Sequence, residues 1–153
     1  MSARKDRMRV VVDTNVFVRN FKARSKSSPN CRLIRLWLVE KNLQLIVSDE
    51  VIAEYLEIFD VILEMEPSLV EEWRTRFIED PRVTVVNLAR RDDASRDPDD
   101  NVFLSTSRVG RAKFLITNDK DLLEIPETAK KSLPFSIITP RDFLQMFEKG
   151  STP

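Results

Sequence analysis

The sequence predicts an α/β domain with a mostly parallel sheet of about five strands. Short β-branched runs alternate along the chain with longer segments whose apolar residues recur at helical spacing. The first run, "MRVVV" at 8–12, is almost uniformly apolar, as expected of a strand that is covered on both faces in a parallel sheet. Alternation of this kind is typical of helices layered on a sheet.

The elements follow one another in a regular order. The predicted strands lie at 8–13, 43–47, 82–86, 113–117 and 135–138. Apolar periodicity predicts helices over 31–41, 51–63, 69–78, 99–108 and 140–148. Thr139 and Pro140 supply the N-cap and the first turn of the last helix. The polar segment 22–30, "KARSKSSPN", predicts an exposed basic loop.

The length and composition indicate an ordinary compact domain. A chain of 153 residues predicts a single domain over 1–153, with its core at about 8–147 and a frayed tail at 150–153. Cys31 is the only cysteine, so no internal disulfide forms, and we expect a reduced, cytoplasmic setting. No apolar run approaches the length of a membrane span.

Charge is unevenly distributed although the formal net charge is zero. The first 35 residues hold ten Lys or Arg and two Asp, a local balance of +8. Two interpretations stay open at this point: a face that binds nucleic acid, or ordinary solvated surface charge.

Acidic residues follow three of the predicted strands. Asp13 ends the first strand, "DPDD" at 97–100 comes after the third, and "TNDKD" at 117–121 follows the fourth. Each site alone is explained by helix capping. Carboxylates gathered at one edge of a sheet would repel one another, however, unless a cation lay between them. Oxygen-only ligands favour Mg²⁺, with Mn²⁺ as a close substitute.

The absence of histidine restricts the chemistry of such a site. A mechanism that depends on an imidazole acid or base is excluded. A phosphodiesterase built on these carboxylates would therefore take its nucleophile from water activated by one or two metal ions.

Four sequence blocks in order resemble the PIN-domain ribonucleases, particularly the PIN-family toxins of prokaryotic toxin–antitoxin pairs. The blocks are "VVVDTNVFV", "SDEVIAEYLEIF", "DPDDNVFL" and "ITNDKDLL", and "IITPRDFL" closes the domain. The resemblance implies a three-layer α/β/α sandwich whose acids bind Mg²⁺ or Mn²⁺ and whose activity is endonucleolytic cleavage of single-stranded RNA. It also implies an antitoxin protein as a partner, and self-association as a homodimer.

The resemblance assigns roles to particular residues. The catalytic and metal-binding acids fall on Asp13, Glu54, Asp100 and Asp119, with Asp99 as the alternative to Asp100 and Asp121 as a further ligand. Asn15 and Thr117 are the polar neighbours of these acids. Periodicity does not distinguish Glu54 from the other acids off the apolar stripe of its helix, so the resemblance alone selects it.

Basic residues near the acidic blocks are candidates for phosphate contacts, which supply affinity without reading sequence. These candidates are Arg19, Lys22, Arg24, Lys26, Arg108 and Arg111. The aromatic residues Trp37, Phe59 and Trp73 are expected in the core.

Other functions stay open from the sequence alone. One is an RNA- or protein-binding module in which the acids only cap helices. Another is a housekeeping RNA-processing nuclease without an antitoxin. A receiver-type phosphoacceptor is disfavoured because only Asp13 follows the first strand.

Overall fold

The computed structural model describes residues 7–88 and 101–150. Its sheet is formed by β1 (Met8–Val12), β2 (Leu43–Ser48), β3 (Val83–Val86), β4 (Phe114–Ile116) and β5 (Ser136–Ile138). All neighbouring strands are parallel, in the order β3-β2-β1-β4-β5. The order reverses at β1, because the chain adds β2 and β3 on one side of this strand and β4 and β5 on the other. The predicted five-stranded parallel sheet is confirmed.

Helices cover both faces of the sheet, which gives the expected three layers. They are α1 (Thr14–Lys22), α2 (Pro29–Leu38), α3 (Asp49–Val61), α4 (Pro67–Glu79), α5 (Val102–Val109), α6 (Lys120–Leu123), α7 (Glu127–Lys131) and α8 (Pro140–Gly150). In the described ranges, none of them has the length and apolar character needed to cross a membrane.

The predicted strands all form, and their bounds differ from the prediction by no more than one residue at either end. The prediction of a helix over 31–41 was wrong at both ends: α2 starts at Pro29 and ends at Leu38. Ser28 is its N-cap and accepts a hydrogen bond from the Cys31 N–H, while Lys41 turns the chain with a φ of 59°. Of the helix predicted over 99–108, positions 99 and 100 lie outside the described residues.

Three helices were not predicted. α1 occupies the segment between β1 and the basic loop, and the loop predicted over 22–30 is shortened to 23–28 because α1 ends at Lys22 and α2 starts at Pro29. It escaped prediction because its buried positions, Thr14, Val16 and Phe17, include a polar residue and cover only its first turn. α6 and α7 are four and five residues long, too short for periodicity to reveal them.

An aromatic cluster anchors α1, α3 and α4 to one another. Phe17 on α1 lies at its centre, with its ring centroid 4.8 Å from that of Tyr55 and 5.8 Å from that of Phe59, both on α3. Trp37 and Trp73 pack edge-on against the same ring, as expected of core aromatics rather than exposed platforms. The cluster therefore fixes α3 relative to the end of β1.

Gly110, which follows α5, lies against the sheet where a side chain would not fit. A Cβ at this position would overlap the Cγ2 methyl of Ile46, a buried residue of β2, and would lie 3.0 Å from the Thr106 carbonyl oxygen. The Gly110 carbonyl oxygen accepts two hydrogen bonds from the Arg9 guanidinium, at 3.1 and 2.7 Å. These contacts hold the α5–β4 turn close to the start of β1.

We expect Gly110→Ala to lower the free energy of unfolding by roughly 1–3 kcal/mol, the usual cost of overpacking a core. Urea unfolding of the purified protein measures this cost. Gly150→Ala is the matched control, because nothing lies within 4 Å of the added Cβ. An equal midpoint for both variants would contradict the close approach at Gly110.

Candidate functional site

The carboxyl ends of β1 and β4 form the reversal point of the sheet, which is where ligands bind in open α/β folds. Val12 and Ile116 are partners in the parallel ladder, and the Asp13 N–H donates to the Ile116 carbonyl oxygen at 2.9 Å. Asp13 and Thr117 are therefore adjacent, although 104 positions separate them in the sequence.

The Asp13 carboxylate is held from two sides. Its Oδ2 atom accepts a hydrogen bond from the Thr117 hydroxyl at 2.7 Å and one from the Asn15 side-chain amide at 3.3 Å. Asp13 is only 8% exposed, and Thr117 is completely buried. The two polar neighbours that the resemblance selected thus both contact the first acid.

Burial raises the pKa of the Asp13 carboxyl above its usual value, and the negative charge of Glu54 adds to this effect. The Thr117 hydroxyl and the backbone N–H groups of Thr14 and Asn15 act in the opposite direction. Neither Asp13 nor Glu54 forms an ion pair with any residue that the structure describes. Asp13 is therefore a buried acid that has no ion-pair partner among the described residues.

Glu54 reaches the site from α3. Its Oε2 atom accepts a hydrogen bond from the Thr14 hydroxyl at 2.7 Å, so the residue after Asp13 holds the second acid. α3 begins at its N-cap, Ser48, whose hydroxyl accepts from the Val51 N–H. Tyr55, the next residue after Glu54, donates its hydroxyl to the Val12 carbonyl oxygen at 2.5 Å.

Tyr55 is completely buried between α3 and the end of β1. Burial raises the pKa of its phenol well above the usual value, and the charges of Asp13 and Glu54 add to the shift. Tyr55 is therefore a neutral hydrogen-bond donor. Thr14 and Tyr55 are two site residues that the sequence did not indicate, because their role depends on contacts between distant segments.

Asp119 lies at the same edge of the sheet, two residues after Thr117. Its N–H donates to the Thr117 hydroxyl oxygen at 2.9 Å. Because the same hydroxyl donates to Asp13, it connects Asp13 to the segment that carries Asp119. Its Oδ1 atom accepts from the Asp121 N–H at 2.9 Å and caps α6. Asp121 is exposed, and its backbone N–H donates this capping bond.

Asn118 is a third residue that the sequence did not assign to the site. Its N–H and its side-chain amide both donate to Asn15 Oδ1, at 3.2 and 3.3 Å. The side-chain amide also donates to Asn30 Oδ1 at 2.9 Å. Asn118 thus connects the end of β4 to α1 and α2.

The third acidic block is not part of the structure that is described. Asp99 and Asp100 lie outside the described residues. Asn101 is the first described residue after them, and its side chain accepts from the Phe103 N–H at 2.7 Å and caps α5. Thr106 on α5 makes a buried hydrogen bond of 2.9 Å with Ser48, and this bond ties α5 to the start of α3.

Four of the basic candidates lie on α1 and on the loop that follows it. Arg19 and Lys22 are exposed on the second half of α1, and Arg24 and Lys26 are exposed in the loop. This loop leads into the first turn of α2, where Asn30 contacts Asn118 at the site.

The structure does not bring Arg108 and Arg111 to the acids. The α5–β4 turn that carries Arg111 lies beside Arg9 near the start of β1, since the Lys113 N–H donates to the Arg9 carbonyl oxygen at 2.8 Å. Four residues of extended strand, about 13 Å, separate this point from Asp13. The order of residues along the chain placed these arginines between two acidic blocks, but α5 runs back to the opposite edge of the sheet.

Comparison with known proteins decides the family. The sequence profile of the PIN domain matches residues 9–121, which include β1 except for its first residue, α3, α5 and the "TND" segment. The chain belongs to the PIN domain family. Members of this family are generally nucleases and are generally dependent on divalent metal ions.

A solved structure has the same fold. The crystal structure of VapBC2 from Rickettsia felis, bound to a DNA fragment from their promoter, contains a chain that superposes with a TM-score of 0.50. The two sequences are 16% identical, and the match covers 86% of this chain and 98% of the other. Among curated proteins, no sequence matches this PIN domain.

The donor atoms of the site suit a hard divalent cation. Carboxylate, hydroxyl and amide oxygens surround the end of β1, and Mg²⁺ is bound in proteins by one or two carboxylates together with water. Over residues 7–88 and 101–150, no three acidic or other typical ligand side chains form a ready-made metal cluster. The two acids at the end of β1, Asp13 and Glu54, are nevertheless candidate metal ligands in this PIN domain.

We expect Asp13→Asn to raise the free energy of unfolding at pH 7 without divalent ions, by about 1 kcal/mol. The amide keeps an acceptor for Thr117 and removes a buried charge. Because burial raises the pKa of Asp13 in the folded state, the wild-type protein loses stability as the pH rises from the usual pKa of an aspartate to this raised value. The gain in Asp13→Asn should therefore vanish below the usual pKa of an aspartate, grow as the pH rises toward the raised pKa, and stay constant above it.

Urea unfolding at several pH values in EDTA tests this expectation. Asp60→Asn is the control, because it makes the same change at an exposed position on α3. A loss of stability in Asp13→Asn at pH 7 would contradict the electrostatic account of the site.

Proposed function

We propose that this PIN domain is an endoribonuclease that cleaves single-stranded RNA with the help of Mg²⁺ or Mn²⁺. The observation that carries the proposal is the convergence of Asp13 and Glu54. A buried acid whose pKa is raised by burial, next to a second acid and without an ion pair among the described residues, is an arrangement that a bound cation would stabilise.

The proposed metal ligands and catalytic acids are Asp13, Glu54 and Asp119, together with Asp100 or its neighbour Asp99. Asp121 is proposed as a further ligand. A bound Mg²⁺ or Mn²⁺ would orient the phosphodiester, neutralise charge in the transition state and activate a water molecule.

The polar neighbours orient the acids. Thr117 and Asn15 both donate to Asp13 Oδ2, which fixes the rotation of this carboxylate. Thr14 fixes Glu54 in the same way. No step requires an imidazole, in agreement with a chain that contains no histidine.

We assign RNA binding to the exposed basic residues on α1 and in the loop before α2: Arg19, Lys22, Arg24 and Lys26. Such side chains would contact phosphates and supply affinity without reading the bases. Since Asn30 joins the end of this loop to the site, a strand bound along it would lead to the acids.

We further propose that the protein is the toxin of a toxin–antitoxin pair. The four sequence blocks and the fold shared with a chain of the VapBC2 structure support this assignment. Its partner would be an antitoxin protein that covers the acidic site.

Expression in growing cells tests the toxin assignment. Growth arrest with the wild-type chain but not with Asp13→Asn, together with relief of the arrest by a co-expressed neighbouring gene product, supports a toxin. Normal growth favours a housekeeping nuclease.

We expect Asp13→Asn and Glu54→Gln each to reduce cleavage of an end-labelled single-stranded RNA by at least about 100-fold, because each removes a charged ligand. EDTA should abolish cleavage by the wild-type protein. Glu57→Gln is the matched control, an exposed acid on the same helix, and should retain activity. Full activity of Asp13→Asn would disprove the proposal, and RNA retention without cleavage under any metal would favour a binding module.

Thr14→Val should lower cleavage by roughly tenfold, the usual effect of losing a residue that orients a ligand. The change removes the hydroxyl that holds Glu54 and keeps the shape of the side chain. Thr14→Ser restores the hydroxyl and should restore activity. Cleavage rates at fixed Mn²⁺ make the comparison, and equal rates for Val and Ser would show that the Thr14 hydroxyl does not act on Glu54.

A further inference from the structure

Three asparagines form a hydrogen-bonded chain that ends at the first acid. Asn15 donates to Asp13 Oδ2, Asn118 donates to Asn15 Oδ1 and Asn118 also donates to Asn30 Oδ1. The three side chains come from α1, from the segment after β4 and from the first turn of α2. All three are half-buried. We call Asn15, Asn118 and Asn30 the asparagine relay.

The backbone sets the direction of the relay. An amide side chain can present either its oxygen or its nitrogen, but the Asn118 N–H can only donate, so it selects Asn15 Oδ1 as its acceptor at 3.2 Å. The Asn15 Nδ2 group is then turned toward Asp13. Asn118 therefore determines which end of the Asn15 amide meets the carboxylate.

Asn30 completes this arrangement by holding the Asn118 amide. Its Oδ1 atom takes the shorter of the two hydrogen bonds that the Asn118 Nδ2 group donates, 2.9 Å against 3.3 Å to Asn15. Asn30 is itself fixed, because α2 is capped by Ser28 and the next residue, Cys31, contacts the Asn20 carbonyl oxygen through its thiol at 3.5 Å.

We propose that Asn118 and Asn30 are positioning residues that hold the Asn15 amide on Asp13 and so fix the orientation of this carboxylate toward a divalent ion. The inference rests on the proposed function for the ion itself. It extends the site to α2 and gives the loop before α2 a physical connection to the acids. Neither residue needs to touch the RNA or the ion.

The test measures Mn²⁺ binding by calorimetric titration of the folded protein in the absence of RNA. Asn118→Leu keeps the backbone N–H but removes the side-chain bonds to Asn15 and Asn30, and should weaken Mn²⁺ binding by up to about tenfold, the usual effect of losing a residue that orients a metal ligand. Asn30→Leu should weaken it by a smaller factor, because the Asn118 side chain can still donate to Asn15 Oδ1. Asn42→Leu is the matched control, an exposed asparagine next to the start of β2 at the opposite edge of the sheet.

A double-mutant cycle separates a relay from two unrelated effects. If Asn30 acts through Asn118, adding Asn30→Leu to Asn118→Leu should cause no further loss of Mn²⁺ affinity. Additive losses would overturn the relay, and so would unchanged affinity in both single variants. Asn30→Ala and Asn118→Ala repeat the cycle with smaller side chains if a leucine variant does not fold.

Cleavage assays distinguish positioning from a structural defect. The loss of activity in Asn30→Leu should be largest at low Mn²⁺ and should be mostly recovered at saturating Mn²⁺, whereas a misfolded fraction would lower the rate equally at all concentrations. A wild-type protein that binds Mn²⁺ but cleaves no RNA would disprove the proposed function. The double-mutant cycle of Mn²⁺ affinities would still test the asparagine relay. A wild-type protein that binds no Mn²⁺ would overturn both.

Discussion

The pairing of β1 with β4 is the constraint on which the site depends. Because the order of the sheet reverses at β1, the two strands end side by side, and the Thr117 hydroxyl meets the Asp13 carboxylate at 2.7 Å. The same hydroxyl accepts from the Asp119 N–H. One buried threonine thus joins the first and last acidic blocks of the chain, and the asparagine relay adds α2 to the same point.

The second constraint is the attachment of α3, which carries Glu54. Tyr55 donates to the Val12 carbonyl oxygen and lies in the aromatic cluster around Phe17, so the helix cannot rotate without breaking both contacts. Core packing therefore has a direct effect on the site. Glu54 is exposed, but its buried neighbour Tyr55 fixes the position of the helix. Thr14 then orients the Glu54 carboxylate.

The features that could be predicted from the sequence are those that local apolar pattern and residue chemistry determine. The five strands and the placement of acids after β1 and β4 followed from apolar runs and their polar ends. Glu54 needed the family resemblance, because its partner Thr14 is 40 positions away and no local signal pairs them. Tyr55 and Asn118 were missed for the same reason, and Arg108 and Arg111 were misplaced because position along the chain does not reveal which edge of the sheet a turn occupies.

The central claim is that Asp13 and Glu54 share a divalent ion. Anomalous diffraction from crystals grown with Mn²⁺ tests it most directly, because the signal locates the metal without assumptions about activity. The account predicts an anomalous peak within roughly 2.0–2.3 Å of a carboxylate oxygen of both residues, a normal bonding distance for a small divalent ion. The absence of an anomalous peak near these two carboxylates, in crystals saturated with Mn²⁺, would contradict this claim.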